Sequence, residues 1–168
     1  MSPSEEIAHL QKRLKRLEST ARERNLQLER MQSEYIYVSR LSELSETEGK
    51  YFIDYQMRPA LAFRGPDGLP LLISAKCTHL GCTVASQADE QGRILCPCHI
   101  SYFDIATGTP NEGSPAKTPL PHLGWVLMDD LHEIVAESSP GGPVQGDLES
   151  ARLEVLGVYI ARRYEEAT

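Results

Sequence analysis

Along residues 4–35, SEEIAHLQKRLKRLESTARERNLQLERMQSEY, apolar side chains recur at alternating intervals of three and four. They are Ile7, Leu10, Leu14, Leu17, Ala21, Leu28 and Met31, interrupted only at Arg24. This spacing predicts a helix with a heptad seam, Ile7, Leu14, Ala21 and Leu28 at one core position and Leu10, Leu17 and Met31 at the other. Ser4 before Glu5 and Glu6 suits an N-cap. Charges of both signs fill the remaining positions, so the helix has nothing of its own on which to bury its stripe. The pattern calls for a partner helix, from a second copy or another subunit; packing on the chain's own globular part is the alternative.

From Tyr35 the period changes. YIYVSR, YFIDYQ, ALAFRG and LPLLISA are short, rich in β-branched or aromatic residues, and separated by turn signals such as GPDG at 65–68. GRILC at 92–96 and the pair GWVLMDD and HEIVAE within 124–137 continue the series. These predict antiparallel strands, hence a small all-β module over 36–137 behind a 1–35 helix. SSPGGPVQG, 138–146, reads as a linker by composition. In the tail that completes 138–168, Leu148, Ala151, Val155 and Tyr159 suit a helix face, whereas Leu153, Val155, Tyr159 and Ala161 suit a strand face. Periodicity does not choose between them. No internal repeat is present.

Composition narrows the function. The 168 residues carry a formal charge of −7, and no basic patch is available to meet phosphates, which excludes a nucleic-acid role. No apolar run approaches the roughly 20 residues needed to cross a bilayer, and the charged first 30 residues lack the apolar centre of a signal peptide. The expected location is cytoplasmic, or peripheral on the cytoplasmic face of a membrane complex.

The chemistry is concentrated in two strings, CTHLGC at 77–82 and CPCH at 96–99, which hold all four cysteines and two of the five histidines. Cys77-x-His79 and Cys96-x-x-His99 each supply one thiolate and one imidazole, and Cys82 and Cys98 lie beside them. A tetrahedral zinc site accepts two cysteines and two histidines, but zinc modules usually pair cysteines on one knuckle, and two cysteines would be left over. A redox dithiol would use C-x-x-C within a βαβ unit; here the spacing is C-x-C among strands. An iron–sulfur cluster with two Cys on one iron and two His on the other would draw one of each from each loop. His9, His122 and His132 show no partner pattern and read as ordinary surface histidines.

CTHLGC followed by CPCH and Ser101 resembles the two cluster-binding loops of Rieske proteins of the cytochrome bc type, and EGSPAKTPL at 112–120 resembles their proline-bearing loop. The resemblance covers about 36–137. It implies an all-β, small antiparallel Rieske-type domain; the N-terminal coiled-coil-like α-helix and the short C-terminal extension lie outside it. It implies one 2Fe–2S cluster, with Cys77 and Cys96 on the buried iron, His79 and His99 on the outer iron, and a disulfide between Cys82 and Cys98. Leu80 resembles the family's apolar shield and Pro115 belongs to the covering loop. Ser101 keeps a hydroxyl that donates to a bridging sulfide. Two positions depart from the pattern: Ile100 replaces a glycine, and Phe103 replaces a tyrosine whose hydroxyl points at a ligand sulfur. The loss of that hydrogen bond implies a lower potential.

The extra cysteine pair separates this chain from Rieske ferredoxins and ring-hydroxylating oxygenases. The implied role is one-electron transfer as a soluble or peripheral subunit of a larger oxidoreductase, not a stand-alone enzyme. The alternative is the quinol-oxidising Rieske subunit of a cytochrome bc-like complex. Expected partners are a redox protein, a second copy or partner helix through residues 1–35, and a quinone under the alternative. The disulfide sits uneasily with a cytoplasmic address, where thiols are usually kept reduced.

Overall fold

Ser2, not Ser4, caps the N-terminal helix. Its Oγ accepts the Glu5 backbone N–H at 3.3 Å, while the Glu5 carboxylate accepts the Ser2 N–H at 2.7 Å, and Pro3 fills the first turn. In this computed structural model, which describes residues 1–149 and 151–166, the helix α1 runs Pro3–Glu34 and buries none of its residues. Ile7, Leu10, Leu14 and Leu17 are each more than half exposed. The chain divides into two units, Met1–Tyr35 and Ile36–Thr168.

Among the described residues ten short strands follow α1: β1 Tyr35–Arg40, β2 Lys50–Ile53, β3 Pro59–Arg64, β4 Pro70–Ser74, β5 Arg93–Cys96, β6 Ser101–Asp104, β7 Trp125–Met128, β8 Ile134–Ser138, β9 Val144–Gly146 and β10 Gly157–Ala161. They form a five-stranded sheet in the order β1-β10-β7-β8-β9, a three-stranded sheet β2-β3-β4 and the hairpin β5-β6. The strand pairings within β2-β3-β4, in β5-β6 and from β10 through β7 and β8 to β9 are antiparallel.

The sheet β2-β3-β4 is shared by two cores because side chains alternate across a strand. Leu61, Phe63 and Ile73 pack with Val84, Ile94, Phe103 and Leu120 on one side. Ala62 and Leu72 pack with Val38, Trp125, Leu127, Val158 and Ile160 on the other. Two stretches differ from the composition-based expectation. The Gly/Pro-rich segment 138–146 carries β9, which pairs with β8 through Ala136–Gly146, Glu137–Gln145 and Ser138–Val144. The undecided tail forms β10, placed between β1 and β7, followed by the short helix α2 Arg162–Glu166.

Candidate metal centre

Both loops of interest are attached to the first core. Cys77 follows β4 and is 4% exposed; Cys96 ends β5 and is 2% exposed; both are free thiols packed among Ile94, Phe103 and Leu120. The turn after Cys77 is closed twice, by Gly81 N–H to the Cys77 carbonyl at 2.9 Å and by Cys77 N–H to the Cys82 carbonyl at 2.7 Å. Gly81 sits at φ +79°, a conformation that glycine adopts without steric cost. This tight turn throws the intervening His79 and Leu80 outward, and both are exposed. On the other loop His99 is exposed as well. The two imidazoles meet edge to face, ring centroids 4.9 Å apart and planes at 90°.

The sulfurs divide into two pairs. Cys82 and Cys98 form a disulfide that joins the loops, as the resemblance implied. Cys77 and Cys96 face one another. Burial pushes the Cys96 thiol up, as does the Cys77 thiol beside it, whereas backbone N–H groups of Cys98 and His99 directed at the sulfur pull it down. The Cys82, Cys96 and Cys98 sulfurs lie within 4.8 Å of one another, but two of the three are consumed in the disulfide. Among the cysteines, therefore, only Cys77 and Cys96 can act as thiolate ligands.

The covering loop is tied in from beneath. Thr78 Oγ1 donates to the Thr118 carbonyl at 2.7 Å, and Ala116 N–H donates to Ser101 Oγ at 3.3 Å. Ser101 is 1% exposed, and its hydroxyl proton remains to be donated elsewhere. Ser114, 2% exposed, has an Oγ without a hydrogen-bond partner among the described residues, while Lys117 Nζ closes onto its carbonyl at 2.7 Å. Pro115 is half-buried in this loop. Thr78 and Ser114 are not distinguished by the sequence: the partner of the Thr78 hydroxyl lies 40 residues away, and the burial of Ser114 leaves no local signal.

Phe103 is fully buried in β6 opposite Ile94. Tyr102 turns the other way, its ring beneath the Arg93 guanidinium at 4.5 Å. Ile100 is 65% exposed, so it does not pack in the core, and it holds φ +56°. One expectation is corrected. His122 is no surface histidine: it is half-buried, its Nε2 lies 3.0 Å from the Ile105 carbonyl, and it pairs with Ile73. His9 and His132 are exposed.

Two buried thiols, two exposed imidazoles and an unpartnered buried hydroxyl fit a 2Fe–2S group of mixed Cys and His ligation. The class of protein is thus a small antiparallel β domain carrying an iron–sulfur centre. The chain belongs to the Rieske 2Fe–2S domain family, whose sequence model matches residues 34–124, and its cofactor is one Rieske-type 2Fe–2S cluster.

Among its relatives, the cytochrome bc1 complex Rieske iron–sulfur subunit of Streptomyces lividans is 43% identical over 69 residues, 40% of this chain and 41% of that one. A Haloferax mediterranei protein, named for a Rieske subunit of respiratory nitrate reductase, is 35% identical over 71 residues, 42% of this chain and 31% of that one. The matches thus span less than half the length of either relative. A solved structure, the ferredoxin of carbazole 1,9a-dioxygenase from Nocardioides aromaticivorans, aligns at TM-score 0.45 and 25% identity over 60% of this chain and 94% of that one.

Proposed function

We propose that this chain is a one-electron carrier, working as a peripheral subunit of a larger oxidoreductase. In this reading Cys77 and Cys96 hold the inner iron of the cluster and His79 and His99 the outer one. The observation that carries it is the division of the four side chains: both thiols lie inside the apolar core, and both imidazoles reach solvent side by side. When bound, the cluster takes and gives single electrons. The chain's own groups do the rest. The core keeps water from the thiolates, and the N–H groups of Cys98 and His99 stabilise charge on the Cys96 sulfur. The exposed imidazole edges contact the donor and acceptor and can carry a proton with the electron. Leu80 and Ile100, exposed beside them, give that contact an apolar rim.

The second reading, quinol oxidation in a bc-like complex, is favoured by the Cys82–Cys98 disulfide and by relatives named as bc1 subunits. The presence of α1 favours the first. No helix among the described residues is long and apolar enough to cross a membrane; residues 1–35 supply contact to a second copy or a partner helix, and the proposed location is cytoplasmic or peripheral on the cytoplasmic face of a membrane complex.

The test is chemical and spectroscopic. Purified chain is expected to hold two irons and two inorganic sulfides, and its reduced form to give an average g clearly below that of an all-cysteine ferredoxin. His79→Ala or His99→Ala should remove that signal. Stoichiometric zinc without labile sulfide would refute the reading. Mixing with a reduced quinol and following cluster bleaching separates the two roles, since only the bc-like one requires rapid reduction by quinol.

A further inference from the structure

The exposed seam of α1 is a built interaction surface, and its charges specify its occupant. We propose that a second copy of this chain pairs with it in a parallel, in-register coiled coil. This rests on the partner-helix reading of residues 1–35 and commits it to one partner.

The 32 residues of α1 span more than four heptads, and its core positions Ile7, Leu10, Leu14 and Leu17 are 56–65% exposed. Such a stripe is stable in water only when covered. The residues flanking the seam then choose the orientation. In a parallel pair the flanking contacts run from one position to that five residues further on in the second copy. Arg13 then meets Glu18 of the second copy, and by symmetry this attraction occurs twice. The remaining contacts are Glu6 with Gln11, Thr20 with Asn25, and Gln27 with Gln32, none of like charge. In the full-length antiparallel register Ile7 lies opposite Met31 and Leu10 opposite Leu28. There Glu6 faces Glu34 at both ends and Glu18 faces its own symmetry mate, all repulsive, while Arg13 faces Gln27. Self-recognition therefore selects the parallel arrangement. Arg24 opposes it locally, because in the parallel register it meets Arg24 of the second copy, so the coil is a reversible one.

The experiment is sedimentation velocity of the full-length, cluster-loaded protein over a micromolar concentration series, with cluster absorbance as the control for an intact second unit. Mass is expected to rise from 18.7 kDa toward twice that value. Arg13→Glu and Glu18→Arg should each weaken the dimer by roughly tenfold, since two attractions become repulsions. The double variant should recover wild-type affinity, and Glu18→Gln should fall between. Arg24→Leu should tighten the dimer. An antiparallel dimer would leave Arg13→Glu indifferent. A chain that stays monomeric, single variants without effect, or a double variant that fails to recover would each overturn the proposal. If Leu14→Asp with Leu17→Asp abolished contact with another subunit while the charge variants changed nothing, the partner-helix reading would stand and the parallel self-pairing would be refuted.

Discussion

Ile100 shows what one residue can reveal. A β-branched side chain at φ +56° is strained, because its Cβ crowds the following carbonyl in the left-handed region. The position follows His99 directly and is exposed, so no packing offsets the strain. Ile100→Gly is expected to stabilise the protein by about 1 kcal/mol, the strain relief less the greater chain entropy of glycine. For a chain of this size that is a rise of about 2–4 °C in apparent melting temperature; a fall would mean that Ile100 is held by contacts of its own. One and three residues on, the tuning positions Ser101 and Phe103 can be tested by voltammetry at fixed pH. A hydrogen bond to cluster sulfur worth roughly 1 kcal/mol shifts a one-electron potential by about 40 mV. Phe103→Tyr is expected to raise the midpoint by tens of millivolts and Ser101→Ala to lower it by as much or more. A zero or negative shift for Phe103→Tyr would withdraw the role assigned to that position.

At the scale of elements, the site is two loops and a cover fastened to one another. The Cys82–Cys98 bridge spans 16 positions in sequence. By loop entropy a closure of this length contributes roughly 3 kcal/mol. Cys82→Ser should therefore lower the apparent melting temperature by about 6–12 °C while Cys77 and Cys96, anchored in the core, still assemble some cluster. Stability and potential both equal to wild type would show that the bridge clamps nothing. Gly108 fastens the cover from the other side. At φ +76°, any Cβ there would stand 2.2 Å from the Leu120 carbonyl oxygen, so the β6 turn and the end of the proline loop meet at this glycine.

Across the whole second unit, the C-terminal segment closes onto a distant turn. The Glu165 carboxylate, 7% exposed, accepts the Tyr55 N–H at 2.8 Å, and Asp54, held by Arg58 at 2.9 Å, lies close by. Burial raises the Glu165 pKa above the ordinary carboxylate value, and the Asp54 charge raises it further. A raised carboxyl binds more protons folded than unfolded between the unfolded and folded pKa values, so its contribution to stability declines as pH rises through that window. Above the window the ionised carboxylate opposes folding. Glu165→Gln keeps an acceptor for Tyr55 and removes the ionisation. Its stability relative to wild type is expected to increase from mildly acidic to neutral pH, as read by thermal unfolding at each pH. A difference independent of pH would exclude Glu165 as the source.

What the sequence alone determined is local. The heptad spacing yields α1 because helical periodicity needs no distant partner to be visible, and YIYVSR coincides with β1 because β-branched and aromatic enrichment is a short-range signal. CTHLGC and CPCH identified the centre because ligand chemistry is carried by residue type and spacing. What only the tertiary structure decided concerns surroundings. The segment 138–146 looked like a linker because Gly and Pro mark turns, yet its β9 pairs with β8, and the tail whose periodicity left helix and strand open was drawn in as β10 against β7. His122 looked exposed for want of a nearby partner, and the fold brought it to Ile105, 17 residues away. The Thr78–Thr118 bond, the burial of Ser114 and the strain at Ile100 arise where distant segments meet or a turn must close. Such effects depend on which backbone groups become neighbours, and no single segment carries that information.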